Sequence, residues 1–272
     1  MSLTSFLKND GELRILLDQT FPKPSVSIDT ERQADPQTTN YALIGTAFDY
    51  LLRFKLEREY SEVDSKPWIA QTGLALAQAT NGADHLEELF ADAENHHQEY
   101  LASGELTDEF LARILDLARL DGIYRAGRWA DDFGEAADGD LDDLRQLYSI
   151  IPAEQFHGAD SLLLNPDFGS ASKLVGGADA DIVLDNTLID IKTVKVATLK
   201  SDYWRQLVGY AVLADITFDE LDQMPRFTDF GIYFARHGTL WRTSTNQVYE
   251  SEKYDQFRDW FEARARDHFG ES

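Results

Sequence analysis

Gly176-Gly177-Ala178-Asp179-Ala180-Asp181-Ile182-Val183-Leu184-Asp185-Asn186-Thr187-Leu188-Ile189-Asp190-Ile191-Lys192-Thr193 reads as two short apolar strands around a two-residue Asp185-Asn186 turn. In such a hairpin Leu184 pairs with Thr187, which sets Asp181 opposite Asp190 and Asp179 opposite Lys192. Side chains alternate between faces. One face then carries Ala180, Ile182, Leu184, Ile189 and Ile191 and is expected to meet the core. The other carries Asp179, Asp181, Asp190 and Lys192. Like charges directly opposite destabilise a strand pair, so two opposed carboxylates beside a lysine point to a bound divalent cation.

Outward from the hairpin, the pattern at 161–243 is strand, hairpin, helix, strand, strand. Leu162-Leu163-Leu164 forms the first strand. The helix covers Asp202 to Ala214, and the last two strands lie at Phe227–Phe234 and Thr239–Thr243, with a turn at Arg236-His237-Gly238. Upstream, residues 1–20 read as one amphipathic helix and 21–40, with three prolines, as an extended connection. Residues 41–60 have helical spacing at Leu43, Ile44, Phe48, Leu51, Leu52 and Leu56. Residues 66–130 read as helices with breaks near Asn81-Gly82, Ser103-Gly104 and Asp121-Gly122, and Asp131 to Asp143 reads as an acidic loop. An amphipathic helix covers Tyr254 to Phe269. The expected organisation is 1–60 as N-terminal helices including the first core helix, 61–150 as a helical insertion, and 151–272 as the core sheet with a C-terminal helix.

Asp181, the Asp190-Ile191-Lys192 triplet and the Gln206-Leu207-Val208-Gly209-Tyr210 run, in that order after a helix at 41–60, resemble the PD-(D/E)xK nuclease superfamily, especially its RecB-like branch. The resemblance covers roughly 41–60 and 161–243. It implies a restriction-endonuclease-like α/β fold, a mixed sheet flanked by helices, carrying here a helical insertion. It also implies a magnesium or manganese ion and hydrolysis of DNA or RNA phosphodiesters, with DNA the expected partner. On this resemblance Asp181 and Asp190 hold the metal with the Ile191 carbonyl, and Lys192 orients the attacking water or stabilises developing charge. Gln206 and Tyr210, one helical turn apart, support the site and contact nucleic acid. Asp179 competes with Asp181 for the first aspartate. Asp181 is the expected one, because it opposes Asp190 and precedes Ile182-Val183. RecB-like members often carry a metal-binding histidine on the first helix. Asp49 stands at that position here, and Glu57 is a weaker candidate on the same helix.

The chain of 272 residues is 43% hydrophobic, enough for a packed core, and has no cysteine, which excludes disulfides and thiol chemistry. No apolar run approaches the roughly 20 residues of a membrane helix. Met1 to Leu17 lack the pattern of a signal peptide, so a cytoplasmic location is expected. The net charge is -24, with 31 aspartates against 18 glutamates and 9 lysines against 16 arginines. This composition predicts a halophilic protein, hydrated and charge-screened at molar salt. Against that background Lys192, Lys195, Lys200 and Arg205 oppose a single acid, Asp202, for a local net of +3. Lys195, Lys200 and Arg205 are therefore the candidate nucleic-acid contacts. His96-His97 reads as a solvated helix face, and the Asp138–Asp143 run lacks the spacing of an EF-hand. A catalytically inactive nuclease-fold module that binds nucleic acid or a protein is the alternative function.

Self-repulsion of this charge should weaken the fold at low salt. Melting temperature should rise substantially between about 0.1 M and molar KCl, where the Debye length falls from about 10 Å to about 3 Å. A flat dependence would remove the case for salt adaptation.

Overall fold

The computed structural model describes residues 2–60, 63–81, 84–218, 221 and 224–270. The helices are α1 (Leu3–Asn9), α2 (Gly11–Thr20), α3 (Tyr41–Glu59), α4 (Ile69–Asn81), α5 (Asp84–Ser103), α6 (Asp108–Ala126), α7 (Asp138–Ser149), α8 (Gly169–Leu174), α9 (Ser201–Ile216), α10 (Asn246–Tyr249) and α11 (Tyr254–Phe269). The strands are β1 (Asp64–Ser65), β2 (Leu162–Leu164), β3 (Ile182–Leu184), β4 (Thr187–Lys192), β5 (Asp229–Phe234) and β6 (Thr239–Ser244). They form one open mixed sheet in sequence order, with the two-residue β1 at one edge. β1 runs parallel to β2 and β4 parallel to β5, while β2–β3, β3–β4 and β5–β6 are antiparallel. The protein is thus α/β. No helix among the described residues is long and apolar enough to cross a membrane.

The hairpin takes the expected register, with Leu184 opposite Thr187 and Ile182 opposite Ile189. Asp185 adopts φ 50°, a left-handed conformation that aspartate tolerates. Its carboxylate accepts the N–H groups of Asp160 and Ser161 at 2.8 and 3.0 Å, which ties the turn to the start of β2. The expectation of one core face and one charged face is corrected. Both faces are buried. Ile182, Leu184 and Ile189 join a core with α3 to α7, whereas Val183 and Leu188 join a second core with α1, α2, α8, α9 and α11. Apart from Asp185 in the turn, the charged side chains of the hairpin lie at the end away from it. Ala180 lies in the second core, not with Ile182, because the chain leaves the strand alternation at Asp181 and the Ala180 N–H turns to the Pro166 carbonyl.

The segment expected as an insertion is one of the two layers that cover the sheet. α3 is buried nearly all round, from Ile44 to Leu56, and α6 packs on it and on α4. At Gly73 of α4 a Cβ would sit 1.9 Å from the Leu120 carbonyl oxygen, so only glycine permits this α4–α6 approach. α6 runs unbroken through Asp121-Gly122 and ends at Gly127 in the left-handed conformation. Of the break near Asn81-Gly82, α4 ends at Asn81, and Gly82 lies outside the described residues.

Two further expectations are corrected, each by an aspartate with a structural partner. Residues 1–20 form two helices, because Asp10 ends α1 and caps α2, accepting the Leu13 N–H at 2.9 Å and an Arg264 N–H at 2.9 Å. The acidic run 131–143 is irregular only to Ala137. α7 begins at Asp138, and Asp143, fully buried, receives both Arg236 nitrogens at 2.7 and 2.9 Å. Arg236 also accepts the Gln33 and Ala34 N–H groups on its carbonyl, so it joins the helical layer, the β5–β6 turn and the connection before α3.

Asp143→Ala leaves the Arg236 guanidinium buried without its carboxylate and should cost about 3–5 kcal/mol in urea unfolding at constant KCl. The pair Asp143→Leu with Arg236→Met should recover most of that loss. A single-variant cost under about 1 kcal/mol would mean that water reaches Arg236.

Candidate active site

The β3–β4 ladder closes at Ile182–Ile189, and β4 continues to Lys192 paired with β5 on one side but without a strand partner on the β3 side. The next N–H on that side, from Ile191, is taken by a side chain. Asp181 Oδ2 accepts it at 2.6 Å. Asp190 and Lys192 point to the same side of β4 as Leu188, toward α9. Lys192 Nζ lies 2.6 Å from Asp190 Oδ2 and donates to Gln206 Oε1 at 3.2 Å. Gln206 Nε2 in turn donates to the Tyr210 hydroxyl at 2.9 Å. Tyr210 is buried and stacked on Phe168, with centroids 5.3 Å apart, and Lys192 lies 5.0 Å from the centre of the Tyr203 ring. Five expected residues, Asp181, Asp190, Lys192, Gln206 and Tyr210, therefore form one connected cluster, with Ile191 inside it.

Asp49 reaches the same region from α3. Its Oδ2 pairs with Arg53 at 2.6 Å, and its Oδ1 is buried without a partner. Burial, then the charges of Asp49 and Asp190, push the Asp181 carboxyl up to about 8, against the pull of Lys192 and the Ile191 N–H. Burial raises Asp190 as well, and Lys192 opposes that rise. Burial acts to lower Lys192, but Asp190 and Asp181 outweigh it, so its ammonium stays charged. Burial and the same two carboxylates push the Tyr210 phenol well above its ordinary range.

Asp190 Oδ2 is close to Lys192 but lacks a donor at a hydrogen-bonding angle, so the contact is an ion pair that leaves oxygen lone pairs uncommitted. Thr193 Oγ1, next along the chain, is also buried without a partner. These hard oxygen donors fit magnesium or manganese chemically. Each carboxylate is held by its own cation or N–H, and among the described residues no three acidic or histidine side chains are gathered about one point.

The other expectations resolve one by one. Asp179 does not face Lys192. It bridges Asp167 through the backbone, and its carboxylate lies 3.5 Å from Arg125. Glu57 leaves the site to bond His97 at 3.1 Å, and His97 is buried against Phe54 and Trp68, not solvated. Arg205 is held by Asp18 at 2.8 and 2.6 Å and by Asp202 at 2.7 Å, which neutralises it as a phosphate contact. Lys195 and Lys200 remain exposed. Arg125 was not legible in the sequence. It comes from the end of α6, is bound by Asp121 at 2.8 Å, and acts electrostatically on Asp49 and Asp181. Nothing in its surroundings along the chain separates it from other helical arginines.

The Asp181 shift has a thermodynamic consequence. Its carboxyl ionises near 3.9 in an unfolded chain and near 8 here. Over that interval the folded state keeps a proton that the unfolded state has released, so stability falls as pH rises. The charges acting on Asp181 are Asp49 and Arg53 on α3, Arg125 on α6, and Asp190 and Lys192 on β4, with neutral Tyr210 on α9. Asp181→Asn keeps an acceptor for Ile191 and removes the proton. With EDTA and constant KCl, its melting temperature should fall less steeply than wild type between pH 5 and 8. Parallel slopes would show that the Asp181 carboxyl does not hold its proton in the fold.

No protein-family model, no curated protein and no solved structure matches the chain, so the chemistry of the Asp181–Asp190–Lys192 cluster is read from its own geometry.

Proposed function

We propose that this chain is a metal-dependent nuclease that hydrolyses phosphodiester bonds of DNA, with RNA the alternative substrate, in the cytoplasm of a salt-adapted cell. It would be a restriction-endonuclease-like member of the PD-(D/E)xK superfamily, near the RecB-like branch. The strand, hairpin, helix, parallel strand and antiparallel strand that follow α3 support that reading. The observation that carries it is the placement of Asp181 on the Ile191 N–H while Asp190 holds Lys192 at 2.6 Å on the α9 side of the same strand.

Asp181, Asp190 and the Ile191 carbonyl, with Asp49 from α3, would hold magnesium or manganese. That ion supplies charge neutralisation at the phosphate and acidifies water. Lys192 is held charged by its two carboxylate neighbours, so it serves as a fixed cation beside the scissile phosphate and not as a base. Gln206 sets the position of that ammonium, and Tyr210, as a neutral phenol, sets the position of Gln206. One observation favours the inactive binding module: Arg53 already pairs with Asp49, the residue that would complete the ligand set.

Protein purified in high KCl should cleave DNA or RNA with magnesium or manganese, and Lys192→Ala should lower the rate by about a hundredfold or more. Manganese should raise the wild-type melting temperature, equivalent to about 2.7 kcal/mol at a hundred times its dissociation constant. Asp190→Asn should show little of that gain. Equal cleavage by wild type and Lys192→Ala would place the activity elsewhere. A manganese shift without cleavage of any nucleic acid would favour the inactive module.

A further inference from the structure

The loop between β4 and α9 leads out of the candidate site along two lysine–tyrosine pairs. Lys195 donates to the Tyr41 hydroxyl at 2.9 Å and lies 4.4 Å from the ring centre. Lys200 lies 5.4 Å from the Tyr203 ring centre, and the same ring is 5.0 Å from Lys192. Tyr41 is 46% exposed. Among the described residues neither Lys195 nor Lys200 has a carboxylate at ion-pair distance, although most arginines of this acidic chain do, Arg205 among them.

We infer that Tyr41 and Tyr203, with Lys195 and Lys200, form a binding track for a single-stranded nucleic acid that delivers the strand to Lys192. This inference rests on the nuclease reading and names its substrate class. Three physical arguments select a single strand. A tyrosine face can stack only on a base that is not enclosed in a duplex, and base–aromatic stacking tolerates any sequence. The chain carries a net charge of -24, and only two unpaired lysines face the ligand here. A duplex presents a phosphate every ~1.7 Å of axis, whereas one strand presents half that charge density, so repulsion by the acidic surface is smaller. At molar salt phosphate contacts weaken while stacking persists, which suits tyrosine as the principal contact.

The test is binding in EDTA, so that no cleavage occurs. A labelled oligothymidylate of roughly 15 nucleotides and a duplex of equal length are titrated into the full chain by fluorescence anisotropy. The single strand should bind more tightly than the duplex. Its affinity should fall with salt at a logarithmic slope of about -1.4, as expected for two phosphate contacts on single-stranded nucleic acid. Tyr41→Leu and Tyr203→Leu should each weaken binding by about fivefold or more, and Tyr41→Phe and Tyr203→Phe should retain it. Unchanged melting temperatures in the phenylalanine variants keep the comparison about contact and not folding. Duplex binding as tight as single-strand binding, or leucine variants that bind like wild type, would overturn the track. If magnesium-dependent cleavage persists in that case, the nuclease reading survives without it. Tyrosine-dependent binding with no cleavage leaves the track standing and sinks the nuclease.

Discussion

The hydrogen bond from the Ile191 N–H to Asp181 is the constraint on which the site depends. β3 is only three residues long, so β4 runs past it with a backbone donor unmatched. Leaving that donor buried and unpaired costs about 1–3 kcal/mol. A backbone carbonyl cannot meet it, because the chain turns away at Asp181 toward Pro166. The Asp181 carboxylate does, and the same bond brings it beside Asp190 and Lys192. A structural need of the sheet and an arrangement of charge are thus met by one side chain.

The surrounding layers make that arrangement electrostatically consequential. α9 closes one side with Gln206, Tyr210 and Tyr203, and α3 and α6 approach from the other layer with Asp49, Arg53 and Arg125. Water is excluded from much of the cluster, so carboxylates that would ionise near 4 in solvent resist ionisation, and Lys192 keeps its proton. The counterweights come from three separate elements. The helical layer therefore contributes cations to the site as well as covering the sheet.

The same economy recurs across an acid-rich chain. Many of its aspartates are not surface hydration alone. Asp143 is sealed against Arg236, Asp10 caps a helix and holds Arg264, and Asp116 holds Arg119 at 2.9 Å. The fully buried pairs, Asp143–Arg236 and Asp116–Arg119, contribute little net stability against an apolar substitute, yet are costly to break singly. The Asp143–Arg236 pair fixes α7 of the helical layer to the β5–β6 turn, and the Asp10–Arg264 pair joins the start of α2 to α11.

The sequence by itself determined what depends on local periodicity. The hairpin register followed from a two-residue turn between alternating strands, α3 and α11 from 3.6-residue spacing, and the pairing of Asp190 with Lys192 on one strand face and of Gln206 with Tyr210 on one helix face from the strand and helix periods, whereas the meeting of the two pairs was expected only from the family resemblance. It could not reveal where alternation stops. Whether Asp179 faces Lys192 or Arg125 depends on the bend at Asp181, and that bend depends on a hydrogen bond to Pro166, outside the hairpin. Nor could it reveal which charges are already neutralised. Lys195, Lys200 and Arg205 have the same sign and lie on one short segment, but only Arg205 meets Asp18, 187 residues away in the chain. Long-range pairing of this kind, like the arrival of Arg125 from α6, was decided by tertiary structure, because the partner of a charge is set by which layers pack together and not by the residues beside it.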